Sequence, residues 1–146
     1  MFSKACKYAI RALIYIASKE GEGNRIGLSE IAAAIDSPVH FTAKIMQILS
    51  KQGIVSSVKG PNGGFYLEAE SLPVTLLEVV RAIDGVHHLS GCGLGLKKCS
   101  DSFPCPVHHE FSEVRDDLLR MLNENTIQYL AHELSLGNST LKNSLT

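Results

Sequence analysis

The chain has 146 residues, 45% hydrophobic and 20% charged. This is one domain's length and a globular balance, enough to bury a core without disulfide staples. The longest apolar run, ALIYIA, is far too short to cross a bilayer, and Lys4, Lys7 and Arg11 interrupt the stretch where a signal peptide would be apolar. The net charge of −1 divides unevenly: residues 1–67 carry eight Lys/Arg and four Asp/Glu (+4), and residues 68–146 carry six and eleven (−5).

FSKACKYAIRALIYIASKEG places apolar residues at Phe2, Cys6, Ala9, Ile10, Leu13, Ile16 and Ala17, a helical spacing, with Gly21 suited to the stop. LSEIAAAID predicts a short second helix capped by Ser29. In SPVHFTAKIMQILSKQG, Ser37 suits the N-cap, Pro38 the first helical position and Gly53 the position after the last. Phe41, Ile45, Ile48 and Leu49 make its apolar stripe. The period then changes, and GIVSSVKGPNGGFYLE predicts strand, tight turn and strand. TLLEVVRAIDG is a helix with a capping box, Thr75 and Glu78, ended by Gly85. After a cysteine-rich loop, a long helix begins near Pro106. Its Val107, Phe111, Val114, Leu118 and Met121 step as a heptad-like seam. TIQYLAHEL predicts one more short helix, and the polar end GNSTLKNSLT predicts fraying.

Helix, short helix, turn, helix and hairpin is the order of a winged helix-turn-helix, whose second motif helix enters the major groove. Here that helix would offer DNA Ser37, Pro38, Val39, His40, Thr42, Ala43, Lys44 and Gln47. His40 and Thr42 can hydrogen-bond, and Lys44 can hold a phosphate. The wing would be Lys59, Gly60, Pro61, Asn62 and Gly63, with Lys59 entering or flanking the minor groove. The basic front half agrees with a nucleic-acid partner.

GCGLGLKKCSDSFPCPVHH, residues 91–109, gathers three of the four cysteines. In the expected cytoplasmic setting this suggests metal binding or redox chemistry before a structural disulfide. Thiolates ligate iron–sulfur clusters, and a Gly/Pro-rich loop can fold three of them around one centre. Cys105 precedes a helix start, whose dipole would favour its thiolate. The spacing Cys-x6-Cys-x5-Cys-x2-His also suits zinc, and a metal-free thiol switch or a vestigial loop remains open. His87, His88 and His132 read as surface residues, and Cys6 as a buried apolar residue. No Cys-x-x-Cys, Walker loop, dinucleotide fingerprint or Ser/His/Asp set occurs, so an enzyme is not expected.

KYAIRALIYIA, LSEIAAAIDSPVHFTAKIMQILSKQGIVSSVKGPNGGFYL, TLLEVVRAIDG and CGLGLKKCSDSFPCPVHHEF resemble the Rrf2 family of bacterial transcription regulators over residues 1–124. The resemblance implies a mainly α fold with a small β-hairpin wing: a winged helix-turn-helix followed by a long C-terminal dimerisation helix. It implies a cytoplasmic homodimer, free of the membrane, on palindromic double-stranded DNA. Residues Ser37 to Lys44 would read the major groove, with Lys59 at the wing, where several members carry Arg. It further implies that Cys92, Cys99 and Cys105 hold an iron–sulfur cluster, 2Fe–2S in preference to 4Fe–4S, with zinc or no metal as alternatives. Some members take a fourth ligand three residues after the last cysteine. That position is His108 here, with His109 as competitor. Others use an acidic residue of the partner's first helix. The matching residue is Lys7, which cannot ligate while protonated, and its neighbour Cys6 is a further candidate. The expected organisation is a DNA-binding domain (1–85), a cysteine loop (86–105), a dimerisation helix with a short following helix (106–135) and a disordered tail (136–146). The function expected is repression that senses redox, nitric oxide or iron–sulfur status. The rivals are a metal-free thiol- or partner-regulated factor and a winged-helix adaptor with structural zinc.

Overall fold

A computed structural model of the chain describes residues 1–19, 24–68 and 73–141. Its elements are α1 (Lys4–Ser18), α2 (Leu28–Ala34), α3 (Val39–Lys51), β1 (Ser56–Val58), β2 (Gly64–Tyr66), α4 (Leu76–Ile83), α5 (His87–Ser90), α6 (His108–Glu124) and α7 (Ile127–Ser135). No helix among the described residues is long and apolar enough to cross a membrane.

Helix α1 is the hub. It buries Cys6, Ala9, Ala12, Leu13, Ile14, Ile16 and Ala17, a wider face than one partner needs. It packs against α2, α3, α4 and α7, and its alanines permit that close approach. The Ser3 hydroxyl caps it by accepting from Cys6 N–H at 3.0 Å. The helix ends at Ser18, and Gly21 lies outside the described residues. Leu13, Ile31, Ile35, Ile45, Met46, Leu49, Val79, Val80, Leu122 and Ile127 are fully or almost fully buried. Each such side chain contributes about 1.5–3 kcal/mol relative to its exposed state.

The N-cap of helix α2 lies two residues before the expected Ser29. Ile26 is tied to Phe65 by two backbone bonds of 2.9 and 2.8 Å, so the chain stays extended until Gly27, which is the N-cap. Ser29 lies inside the helix and is exposed. Helix α3 begins at Val39 with Pro38 as N-cap, one residue later than predicted. Ser37 does not cap it, because its Oγ accepts from the Thr42 hydroxyl at 2.9 Å. The buried stripe is Thr42, Ile45, Met46 and Leu49, a strict i, i+3, i+4, i+7 row. It is rotated from the predicted one: Phe41 is half-buried and Ile48 is 39% exposed. Gly53 follows the C-cap in the left-handed region, as its position suggested.

The hairpin pairs Ser56 with Tyr66, Ser57 with Phe65 and Val58 with Gly64. A Cβ on Gly63 would lie 2.0 Å from the Val58 carbonyl oxygen, so only glycine closes this turn. Helix α4 carries the expected capping box: Glu78 N–H donates to the Thr75 hydroxyl at 3.2 Å, and Thr75 N–H donates to the Glu78 carboxylate at 2.7 Å. The short α5 has no counterpart in the sequence reading. Thr126 caps α7 by accepting from Tyr129 N–H at 3.1 Å.

The chain's end rejoins its beginning. Leu76 N–H donates to Asn125, and Ile127 N–H to Val74, at 3.0 and 2.8 Å. Leu122, Ile127 and Ala131 thereby enter the same core as α1. The tail expected to fray from residue 136 does not do so throughout: Leu136 is the C-cap of α7, and Leu141 packs on the core and accepts from Arg11 at 3.1 Å. Residues 142–146 lie outside the described residues.

Candidate functional site

Two groups of residues project from this frame. The first is the outer face of α3 with the hairpin turn. Pro38, Val39, His40, Lys44 and Gln47 are exposed, and Ala43 is half-buried. Lys59, Gly60, Pro61 and Asn62 are exposed at the hairpin tip, and Gly63 is half-buried. Thr42 does not belong to this face. It is fully buried, and its hydroxyl donates within its own turn, to the Pro38 carbonyl and to Ser37 Oγ, both at 2.9 Å. Ser37 is half-buried and spends its oxygen on the same contact. Both residues shape the helix start from within. Arg25 was not singled out by its sequence context. It stands beside the hairpin with its guanidinium 6.0 Å from the Tyr66 ring centre, reached because Ile26 pairs with Phe65.

The second group is the cysteine loop between α5 and α6. The sulfurs of Cys92, Cys99 and Cys105 all lie within 4.8 Å of one another. Cys92 and Cys105 are 3.7 Å apart and not bonded. His108, in the first turn of α6, places Nδ1 3.1 Å from the Cys99 sulfur. The other ring nitrogen donates to Asp101 at 2.9 Å. His109 is exposed, and its ring meets that of His108 edge to face at 5.2 Å. Of the two histidines, His108 is the one set against the thiols. Three cysteine sulfurs and an imidazole nitrogen are the donor types of zinc and iron–sulfur sites.

Three contacts absent from the sequence reading place this loop. Asp101 holds His108. Arg115 of α6 donates to the Gly91 carbonyl at 2.9 Å. Gly93 lies over Phe111 of α6 so closely that a Cβ would meet the ring at 2.5 Å. None has a periodic signal, because loop partners are set by the fold rather than by spacing.

The thiols differ electrostatically. Backbone N–H groups of Leu96 and Leu94 point at Cys92 and lower it to about 7, helped by the neighbouring thiols. Burial raises Cys105, which outweighs the N–H of Val107. Its expected activation by a helix dipole is therefore corrected: α6 begins only at His108, and the buried sulfur loses more hydration than the first turn returns. Cys6 is remote from this chemistry, fully buried in α1 and pushed up to about 12 by burial and then by the Asp84 charge. Lys7, His87 and His88 are exposed.

Comparison with known proteins identifies the family and the fold. The Rrf2 family profile, described as an iron-dependent transcriptional regulator, matches residues 2–133. A helix-turn-helix-type transcriptional regulator of Aquifex aeolicus is 35% identical over 132 residues, 89% of this chain and 90% of that one. The transcriptional regulator IscR of Escherichia coli is 27% identical over 126 residues, 86% of this chain and 76% of that one. Among solved structures, the cysteine regulator CymR of B. subtilis superposes with a TM-score of 0.75 at 24% identity, covering 90% of this chain and 96% of that one. The IscR of T. potens superposes with a TM-score of 0.73 at 19% identity, covering 96% and 92%. These likenesses confirm the winged-helix fold and place the chain among regulators rather than enzymes. The chain belongs to the Rrf2 family of transcriptional regulators.

Proposed function

We propose that the protein is a homodimeric repressor of palindromic operators whose DNA affinity is set by an iron–sulfur cluster on Cys92, Cys99, Cys105 and His108. The observation that carries this reading is the convergence of three unbonded thiols within 4.8 Å, with an imidazole nitrogen 3.1 Å from one of them. The 3.7 Å between Cys92 and Cys105 matches two sulfurs on one tetrahedral metal, since metal–sulfur bonds of about 2.3 Å put them about 3.8 Å apart. Among iron–sulfur clusters, the preference for 2Fe–2S over 4Fe–4S rests on the family resemblance. A bound cluster supplies a centre that reacts with oxidants and nitric oxide.

The chain's own residues do the rest. On the DNA side, Val39, His40, Ala43, Lys44 and Gln47 would meet the major groove, and Lys59 to Asn62 the flanking backbone and minor groove. Pro38 and Gly63 sit at the edges of these surfaces, and Ser37 and Thr42 support them from within. On the sensing side, Arg115 and Phe111 anchor the loop to α6, and α6 also packs on α4 and α5. Asp84, the C-cap of α4, accepts hydrogen bonds from the backbone N–H and hydroxyl of Ser3 at the start of α1. A change in loop order thus has a packed route to the helices that carry α3. It shifts DNA affinity only so far as the two loop states differ in free energy when DNA is bound.

Dimerisation is supported by the outer face of α6, where Phe111, Val114 and Met121 are 46%, 64% and 39% exposed along the heptad-like seam. A second copy covers such a seam in a coiled-coil manner.

The test is anaerobic purification with a visible spectrum and iron, sulfide and zinc analysis, followed by operator binding in each state. A brown protein with equal iron and sulfide, lost in Cys92→Ala, Cys99→Ala and Cys105→Ala, is expected. Zinc alone would support a structural site. A protein with neither metal would support thiol regulation, for which the low Cys92 and its 3.7 Å approach to Cys105 are already suited. DNA affinity should fall steeply with salt, and its absence in every state would support the adaptor.

A further inference from the structure

We propose that Asp101 is a positioning residue that fixes the ring of His108 with its hydrogen on Nε2, leaving Nδ1 bare as the donor that faces Cys99. The purpose of this arrangement rests on the ligand reading above, but the arrangement can be measured without any metal.

The argument is one of hydrogen count. A carboxylate can only accept, so the 2.9 Å contact between Asp101 and His108 Nε2 requires a hydrogen on Nε2. A neutral imidazole has one N–H, so Nδ1 then carries a lone pair. That lone pair lies 3.1 Å from the Cys99 sulfur, where a thiol S–H donates to it and where a metal would replace the proton. The reverse tautomer would place an N–H toward the thiol centre and two lone-pair carriers, Nε2 and the carboxylate, against each other.

The surroundings make Asp101 the deciding partner. The His108 side chain is only 11% exposed, so water has little access to its ring, whereas Asp101 is 93% exposed and held from the backbone. The Ser100–Phe103 turn does the holding. Ser100 N–H donates to the Phe103 carbonyl at 3.2 Å, Phe103 N–H donates back at 3.1 Å, and the Ser100 hydroxyl accepts from Phe103 N–H at 3.2 Å. Asp101 is thus carried over the ring by a closed turn between two of the cysteines. Histidines that ligate metals commonly donate their second N–H to such a carboxylate, which sets ring orientation and raises donor strength.

The experiment uses the full-length metal-free protein under reducing conditions, at a pH where the ring is neutral. Long-range proton–nitrogen NMR reads which nitrogen of His108 is protonated, with His108→Gln assigning the signal. The wild type is expected in the Nε2–H form, Asp101→Ala in a mixture or the Nδ1–H form, and Asp101→Asn, whose carbonyl still accepts, close to wild type. A wild-type ring protonated on Nδ1, or an unchanged tautomer in Asp101→Ala, overturns the proposal. Anaerobic reconstitution with iron and sulfide then reads the consequence: Asp101→Ala should hold iron about 10- to 100-fold more weakly than wild type, with Asp101→Asn between them. Equal iron retention by Asp101→Ala and wild type would remove the positioning role. A wild type that takes up no iron at all would instead overturn the cluster reading while leaving the tautomer result standing.

Discussion

Around Leu13, Ile31, Met46 and Val79, four helices and their neighbours bury whole side chains against one another. Around Cys99 the chain does the opposite. Cys105 is buried and Cys92 and Cys99 are half-buried, while Leu94, Leu96 and Phe103 stand 56%, 54% and 77% exposed. The first region is defined by apolar packing, which needs nothing but the chain. The second is defined by a few directed contacts: Arg115 to Gly91, Asp101 to His108, and Gly93 on Phe111. A segment that buries so little gains little from the hydrophobic effect and opens at low cost. The core is therefore held by packing, and the loop by a few directed contacts that single substitutions can remove.

This contrast is broken most directly by one truncation in each region. Met46→Ala removes a fully buried side chain from beneath the outer face of α3 and should cost about 2–5 kcal/mol in urea unfolding of the metal-free protein. Cys99→Ala in the same metal-free protein removes a half-buried thiol and its contact with His108, and should cost only about 1 kcal/mol. Equal losses would mean that the loop is part of the folding unit and not a ligand-dependent appendage.

The same contrast explains what could be read from the sequence. The capping box of α4, Gly53 after α3 and the GPNGG turn were legible because each is a local rule carried by a few adjacent residues. The face of α3 was misread through Thr42. Counted as polar, it turns the apparent stripe toward Phe41 and Ile48; counted as a side chain whose hydroxyl is satisfied inside its own turn, it completes the row Thr42, Ile45, Met46, Leu49. The caps of α2 and α3 slipped because Ile26 pairs with Phe65 and because Ser37 is engaged by Thr42, and neither contact is visible in spacing. In the loop, cysteine spacing and family resemblance led to Cys92, Cys99, Cys105 and His108, but Asp101, Arg115 and Phe111 act through the third dimension. Cys105 was misjudged because burial, not proximity to a helix, sets its ionisation.

The exposed seam of α6 sharpens the comparison on the side of assembly. Val114 is 64% exposed and makes little use of its methyl groups within one chain. Val114→Asp should leave the far-ultraviolet spectrum of the fold unchanged while weakening self-association at least tenfold, about 1.4 kcal/mol, in sedimentation equilibrium. An unchanged molar mass at low concentration would remove this face of α6 from any self-association.

At the hairpin, Lys59 is exposed and no packing depends on it. Lys59→Ala should weaken operator binding at low salt and reduce the slope of log affinity against log salt by about 0.9, the value of one phosphate contact. Its iron content should match that of the wild type. A parallel shift with an unaltered slope would assign Lys59 to base reading instead.

A further small effect is expected where the start of α1 meets the end of α4. Ser3 caps α1 through Cys6 N–H and also donates its own N–H, at 3.0 Å, and its hydroxyl to Asp84. Burial alone would raise the Asp84 carboxyl, but the two bonds from Ser3 and the nearby His88 charge hold it below the usual range. A carboxyl depressed in the folded state stabilises it above the unfolded pKa of about 3.9, and this contribution fades as pH falls through the folded value. Ser3→Ala should therefore cost about 1 kcal/mol near neutral pH, the value of a lost cap. The gap to wild type in urea unfolding should narrow below about pH 4, as protonation removes what Asp84 gains from Ser3. If the gap stayed constant into acid, Ser3 would act through the cap on Cys6 alone. The joint between α1 and the end of α4 would then have to rest on packing rather than on this charge.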